Sequence, residues 1–176
     1  MQGRDSAAVR ARAISLAAGG DRPLALAMLD AWTLHHPGDA AAWAVLSDVL
    51  LDGMADVLGK MPAVDATEYF AAAIRAARSA LAVNRKEQLA LLTLGAAEVW
   101  GGMVLAQPME PAVTKLNAAI GMGGLTDWQL RKASFFLGKA YQMEDRDAES
   151  DQWYRASLPA WARVFYPVVR ERMRAL

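Results

Sequence analysis

The sequence predicts an all-α protein of about eight helices joined by short turns. Of its 176 residues, 55% are hydrophobic and 22% are charged, which is typical of a folded globular domain. Alanine is abundant and β-branched residues are few, so helix is favoured over strand. Apolar residues also recur at spacings of three and four along almost the whole chain, as they do on one face of a helix.

Glycine and proline clusters predict where these helices end. The clusters are Gly19–Gly20, Pro37–Gly38, Met61–Pro62, Gly101–Gly102, Pro108–Pro111 and Gly121–Gly124. Several are followed by signals typical of helix starts. Asp39 can cap a helix that begins at Ala40, and both Asp65 with Glu68 and Thr126 with Gln129 have the spacing of a capping box.

Three short strings share one pattern, in which a small residue directly follows a leucine. They are Trp43–Leu50, Leu94–Glu98 and Leu137–Tyr141, and their small residues are Ser47, Gly95 and Gly138. Two antiparallel helices approach closely only where a small side chain meets a large one. The pattern therefore predicts that a neighbouring helix comes nearest at Ser47, Gly95 and Gly138.

This pattern resembles the tetratricopeptide repeat, a 34-residue helix pair with leucine at position 7 and a small residue at position 8. In that register the repeats span residues 6–39, 40–87, 88–130 and 131–160, and residues 161–176 form a last helix. The resemblance implies a single domain, residues 1–176. Its fold would be an α–α superhelix of about four helix pairs plus a C-terminal capping helix, which covers the last apolar face.

The chain departs from the 34-residue period in two places. Leu46 and Leu94 are 48 residues apart, and Leu94 and Leu137 are 43 residues apart. We expect the extra residues as insertions between the helices of the second and third pairs, around residues 52–66 and 102–110. These stretches carry four methionines: Met54, Met61, Met103 and Met109.

The resemblance also implies which side chains face the concave side of the superhelix. They include Asp48 and Asp52 of the second repeat, Leu89, Leu92, Val99 and Trp100 of the third, and Lys132, Phe135, Lys139 and Met143 of the fourth. Exposed apolar patches generally mark binding sites, and aromatic residues dominate binding energy. The alternative is that the capping helix or an insertion folds back over this groove.

These residues favour a protein-binding adaptor or chaperone, which holds a helical or apolar peptide in the groove, over an enzyme. The stretch Ala73–Trp100 is also similar to the repeat region of bacterial cytochrome c maturation factors, which implies an apo-protein helix as the partner. A second possibility is a module that forms homo-oligomers through the methionine-bearing insertions. A third is a small-ligand carrier or enzyme that uses an acidic stripe of Asp48, Asp52 and Asp56.

Other functions are disfavoured by composition. Lysine plus arginine equals aspartate plus glutamate, at 19 each, so nucleic acid is not an expected partner. The absence of cysteine excludes disulfides and thiolate metal sites, and His35 and His36 point about 100° apart on a helix. No metal or cofactor is expected. Membrane insertion is not expected either, because no apolar run reaches the ~18–20 residues of a spanning helix. The sequence suits cytoplasm or periplasm and does not choose between them.

Overall fold

The computed structural model of the protein describes residues 2–57, 63–105, 107–166 and 170. These residues form helices and no strand, which confirms the all-α prediction. The described α-helices are α1 (Gln2–Ala18), α2 (Arg22–His35), α3 (Ala40–Val57), α4 (Ala63–Val83), α5 (Gln88–Leu105), α6 (Glu110–Gly121), α7 (Asp127–Met143) and α8 (Asp147–Ser157). A 3-10 helix, η1 (Ala160–Phe165), follows α8.

The chain divides into two compact units. The first is Met1–Leu94 and the second is Gly95–Leu176, so the division lies within α5. In the first unit α1 packs on α2 and α3, α2 on α3, and α3 on α4. In the second unit α7 packs on both α6 and α8.

Alanines provide much of the close packing in the first unit. One core cluster brings Ala13 and Ala25 together with Leu29, Leu46 and other apolar residues. A second cluster consists of Ala44, Ala77, Ala80, Ala90 and Leu94, all of them buried. Small side chains let the helix backbones approach, and the few large residues fill the space between them.

Asp39 caps α3 and also joins it to α1 and α2. Its Oδ1 accepts a hydrogen bond from the Ala42 N–H at 3.0 Å, so α3 begins at the predicted residue. Its Oδ2 accepts from the Ser6 hydroxyl and from the Trp32 indole Nε1 at 2.8 Å. Burial alone raises the pKa of Asp39, but these hydrogen bonds and the nearby charge of Arg10 outweigh it, and the pKa is lowered.

The α7 helix of the second unit has clear start and stop signals. Thr126 and Gln129 form the predicted capping box at the start of α7, because each side chain accepts from the other residue's backbone N–H. Between α7 and α8, Asp145 has a φ of 57° and the Arg146 N–H donates to the Tyr141 carbonyl at 2.9 Å. This left-handed turn satisfies a carbonyl at the end of α7.

The predicted insertions are mostly helix, not loops. The α3 helix continues through Gly53 to Val57, and α5 continues through Gly101 and Gly102 to Leu105. Gly102 is a packing position, because a Cβ there would overlap Cε of Met109. Met109 is only 2% exposed, so its side chain belongs to the packing of this insertion and not to its surface. The side chains of Met54 and Met61 lie outside the described residues.

The C-terminal segment differs from the predicted capping helix in its described part. Pro159 has extended backbone, and η1 follows as a 3-10 helix and not an α-helix. Tyr166 follows η1 and is buried. Residues 167–169 and 171–176, which make up most of the predicted cap, lie outside the described residues.

Candidate functional site

The predicted close contacts between paired helices are confirmed at all three small residues. In α3 the Ser47 hydroxyl donates to the Ala73 carbonyl of α4 at 2.9 Å. A Cβ on Gly95 of α5 would lie 2.8 Å from Cγ of Leu116 in α6, and one on Gly138 of α7 would lie 2.5 Å from Cδ1 of Tyr154 in α8. These contacts fix the sides of α5 and α7 that face their paired helices.

Four rings of the second unit form one aromatic cluster: Trp100, Phe135, Phe136 and Tyr154. The ring centroids of Trp100 and Phe136 are 6.2 Å apart with an interplanar angle of 66°. Those of Phe135 and Phe136 are 5.5 Å apart at 78°, and Phe135 and Tyr154 are 5.8 Å apart at 46°. Such edge-to-face and tilted contacts suit the charge distribution of aromatic rings.

The cluster has a buried base and a partly exposed outer part. Tyr154 has no exposed surface and Phe136 is buried, whereas Trp100 and Phe135 are half-buried. Tyr154 lies over Gly138, and its hydroxyl donates to Oε1 of Gln142 at 2.6 Å. The two partly exposed rings therefore pack on side chains that are themselves held in place.

The two lysines of α7 that are predicted to face the groove are buried instead. Lys132 and Lys139 are 9% and 7% exposed. Burial lowers the pKa of Lys139, because removing an ammonium group from water disfavours its charged form. Met143, in the last turn of α7, is half-buried. Among the predicted residues of α7, Phe135 and Met143 thus present more surface than the lysines.

The α5 residues of the predicted groove differ in exposure. Leu92 and Val99 have no exposed surface, so neither can contact a partner in this structure, contrary to expectation. Leu89 is half-buried and packs against both core clusters of the first unit. The reason is the composition of α5, in which Glu98 is the sole charged residue. A helix that is apolar on every side tends to be buried.

Asp48 and Asp52 lie one turn apart on α3 and are half-buried. They belong to the first unit, whereas the aromatic cluster belongs to the second. The side chain of Asp56 lies outside the described residues.

Within the part of the chain that the structure describes, no group of three histidine, aspartate or glutamate side chains is placed to hold a metal. The ring of His36 stacks on Trp32 at 3.8 Å.

The repeat register includes Trp100 and Phe135 in the site but not Phe136 and Tyr154, on which these two rings pack. The sequence holds one signal for each of these two residues. Adjacent residues of a helix point about 100° apart. When Phe135 lies at the surface of α7, the ring of Phe136 can therefore lie in the core. Gly138, which the sequence marks as a close approach, is where a large ring of the next helix must lie.

Comparisons with known proteins assign no family. No protein-family model matches the chain, and no curated protein matches it. None of the described helices is both long and apolar enough to span a membrane.

Proposed function

We propose that this protein is a binding module of tetratricopeptide-like helix pairs, which acts as an adaptor or chaperone and not as an enzyme. In this proposal the pairs stack as an α–α superhelix, and a helical or apolar segment of another protein binds at the aromatic cluster. Support for the repeat comes from the equivalent contacts at Ser47, Gly95 and Gly138, which join the helices of three successive pairs.

The observation that carries the proposed site is the position of Trp100 and Phe135 on buried rings. Aromatic side chains supply large contact areas and dominate the energy of protein interfaces. A ring that is already fixed loses little conformational freedom on binding, and ordering a mobile side chain costs about 0.5–1.5 kcal/mol. The buried Phe136 and Tyr154 hold the two outer rings, so this cost is reduced before a partner arrives.

An apolar helical segment fits this surface best. Trp100, Phe135 and Met143 are large, mainly apolar side chains with partial exposure. Three basic residues of α7 lie within one turn of Phe135: Lys132 and Lys139 are mostly removed from solvent, and Arg131 is paired with Asp127. A partner helix with apolar residues at positions i, i+3 or i+4, and i+7 presents one continuous stripe to such a surface.

The proposal is tested by selecting binders from a displayed library of amphipathic helical peptides. Selected peptides should bind the wild-type protein and lose at least about tenfold in affinity for the variant Trp100→Ala, Phe135→Ala, because two anchors are removed. Trp128→Ala is the matched control. Trp128 is 59% exposed in the first turn of α7, in the same unit, and its removal should leave the affinity within about twofold.

Equal affinity for the wild type and the double variant would contradict the proposed site. Circular dichroism must show equal helix content in the three proteins before affinities are compared. If the double variant loses helix, Phe135→Leu keeps an apolar side chain and gives the same test in a milder form. Binding that depends on Trp128 and not on Phe135 would place the site elsewhere in the second unit.

A further inference from the structure

The end of the described chain packs against the aromatic cluster. We call Ala160–Tyr166 together with Arg170 the C-terminal strap. Tyr166 is 3% exposed and forms a buried cluster with Tyr154, against which Phe135 and Leu158 pack. The guanidinium of Arg155 lies 5.3 Å from the centre of the Tyr166 ring. A segment of the chain itself therefore occupies the side of Tyr154 next to the proposed site.

One carboxylate of α8 receives two polar side chains of the strap, those of Tyr166 and Arg170. The Tyr166 hydroxyl donates to Oδ1 of Asp151 at 3.0 Å. Arg170 donates through Nε to the same Oδ1 at 2.8 Å, and its Nη2 lies 2.6 Å from Oδ2. A guanidinium that meets both oxygens of a carboxylate makes a directional and comparatively strong contact.

We propose that Asp151, Tyr154 and Phe135 form a docking surface for an aromatic residue followed four residues later by an arginine, and that the strap occupies it as an internal competitor. A partner segment with this pattern places its ring on Tyr154 and its guanidinium on Asp151, as Tyr166 and Arg170 do. This inference rests on the proposed function, because Phe135 belongs to both sites, and it adds the chemistry of the partner.

The connection to α8 suits a segment that can be displaced. Leu158 and Pro159 have extended backbone, with ψ of 145° and 152°, so the strap is not a continuation of the α8 helix. An attached segment competes at a high effective concentration, which a separate partner must overcome. The closed strap thus weakens the binding of any external segment that uses Asp151.

The test uses the strap's own sequence as the probe. A fluorescent synthetic peptide of residues 159–176 is titrated into the full-length protein and into the full-length variant Tyr166→Ala, Arg170→Ala, whose own strap lacks both contacts. The peptide should bind the variant at least tenfold more tightly than the wild type. Adding Asp151→Ala to the variant should weaken that binding at least tenfold, and adding Phe135→Ala should weaken it to a smaller extent.

Failure of the peptide to bind the Tyr166→Ala, Arg170→Ala variant would overturn the inference, as would binding unaffected by Asp151→Ala. Circular dichroism checks that the variant is folded. If it is not, Arg170→Gln alone removes the charged contact, and the peptide should still bind that protein more tightly than the wild type. The two proposals can fail separately. If the strap peptide binds but the library yields no helical peptide that binds, the docking surface is supported and the proposed function is rejected.

Discussion

Replacement of Gly138 by alanine tests the packing that holds the aromatic cluster. A Cβ at this position would lie 2.5 Å from Cδ1 of Tyr154 and 2.9 Å from two further ring atoms. These distances are shorter than any relaxed carbon–carbon contact, so either the ring or the α8 backbone must move. Tyr154 has no exposed surface and its hydroxyl is bound to Gln142, which leaves the ring little room to shift.

The expected cost follows from two opposing effects. Overpacking a well-filled core costs about 1–3 kcal/mol. Alanine is favoured over glycine inside a helix by about 0.8–1.0 kcal/mol. The clash dominates because it involves three atoms of a buried ring. We place the clash in the upper part of its range, at about 2–3 kcal/mol, so Gly138→Ala should lower the free energy of unfolding by about 1–2 kcal/mol after the gain in helix propensity is included.

Gly101→Ala is the matched control, since Gly101 lies inside α5 and a Cβ there has no neighbour within 4 Å. This change should raise stability by about 0.5–1 kcal/mol. Urea unfolding followed by circular dichroism at equal m-values measures both changes. A Gly138→Ala protein as stable as the Gly101→Ala protein would refute the close approach of Tyr154 and, with it, the account of the buried base of the cluster.

Two further changes test other parts of the fold. Asp39→Ala removes the α3 cap and the acceptor for Ser6 and Trp32, so it should cost about 1–2 kcal/mol in urea unfolding. Because its hydrogen bonds lower the pKa of Asp39 in the folded state, its contribution to stability is present above the unfolded-state pKa and is lost as pH falls through the folded-state pKa. The stability difference between wild type and variant should therefore shrink in strong acid, and a difference independent of pH would contradict the assignment. Asp145→Gly should stabilise the protein by about 0.5–1 kcal/mol, because φ is 57° there and glycine adopts it without strain; a lower melting temperature would contradict this.

The helices could be predicted from sequence because local signals agree with the packing. The start of α3 after Asp39 and the capping box at Thr126 depend on residues only three positions apart. The contacts at Gly95 and Gly138 follow from the alternation of small and large residues. Each of these features is determined by residues within one helix pair, and so it is visible in the sequence.

The site could be predicted only in part, because exposure depends on packing that no local pattern records. Gly101 and Gly102 are typical of a helix end, yet α5 continues through both to Leu105, and Met109 packs where a Cβ of residue 102 would lie. Leu92 and Val99 match the repeat positions of a groove but have no exposed surface. The contact of Tyr166 with Asp151 joins residues 15 apart across a proline, and no spacing rule of a helix predicts it.

The most direct test of the proposed function is to map a selected helical peptide onto the protein by NMR. Amide and ring resonances are compared with and without the peptide on the full-length chain. We expect the largest shifts to cluster at Trp100, Phe135 and Met143, while those of Trp128 stay nearly unchanged. Large shifts around Trp128, with Trp100 and Phe135 unaffected, would contradict this expectation.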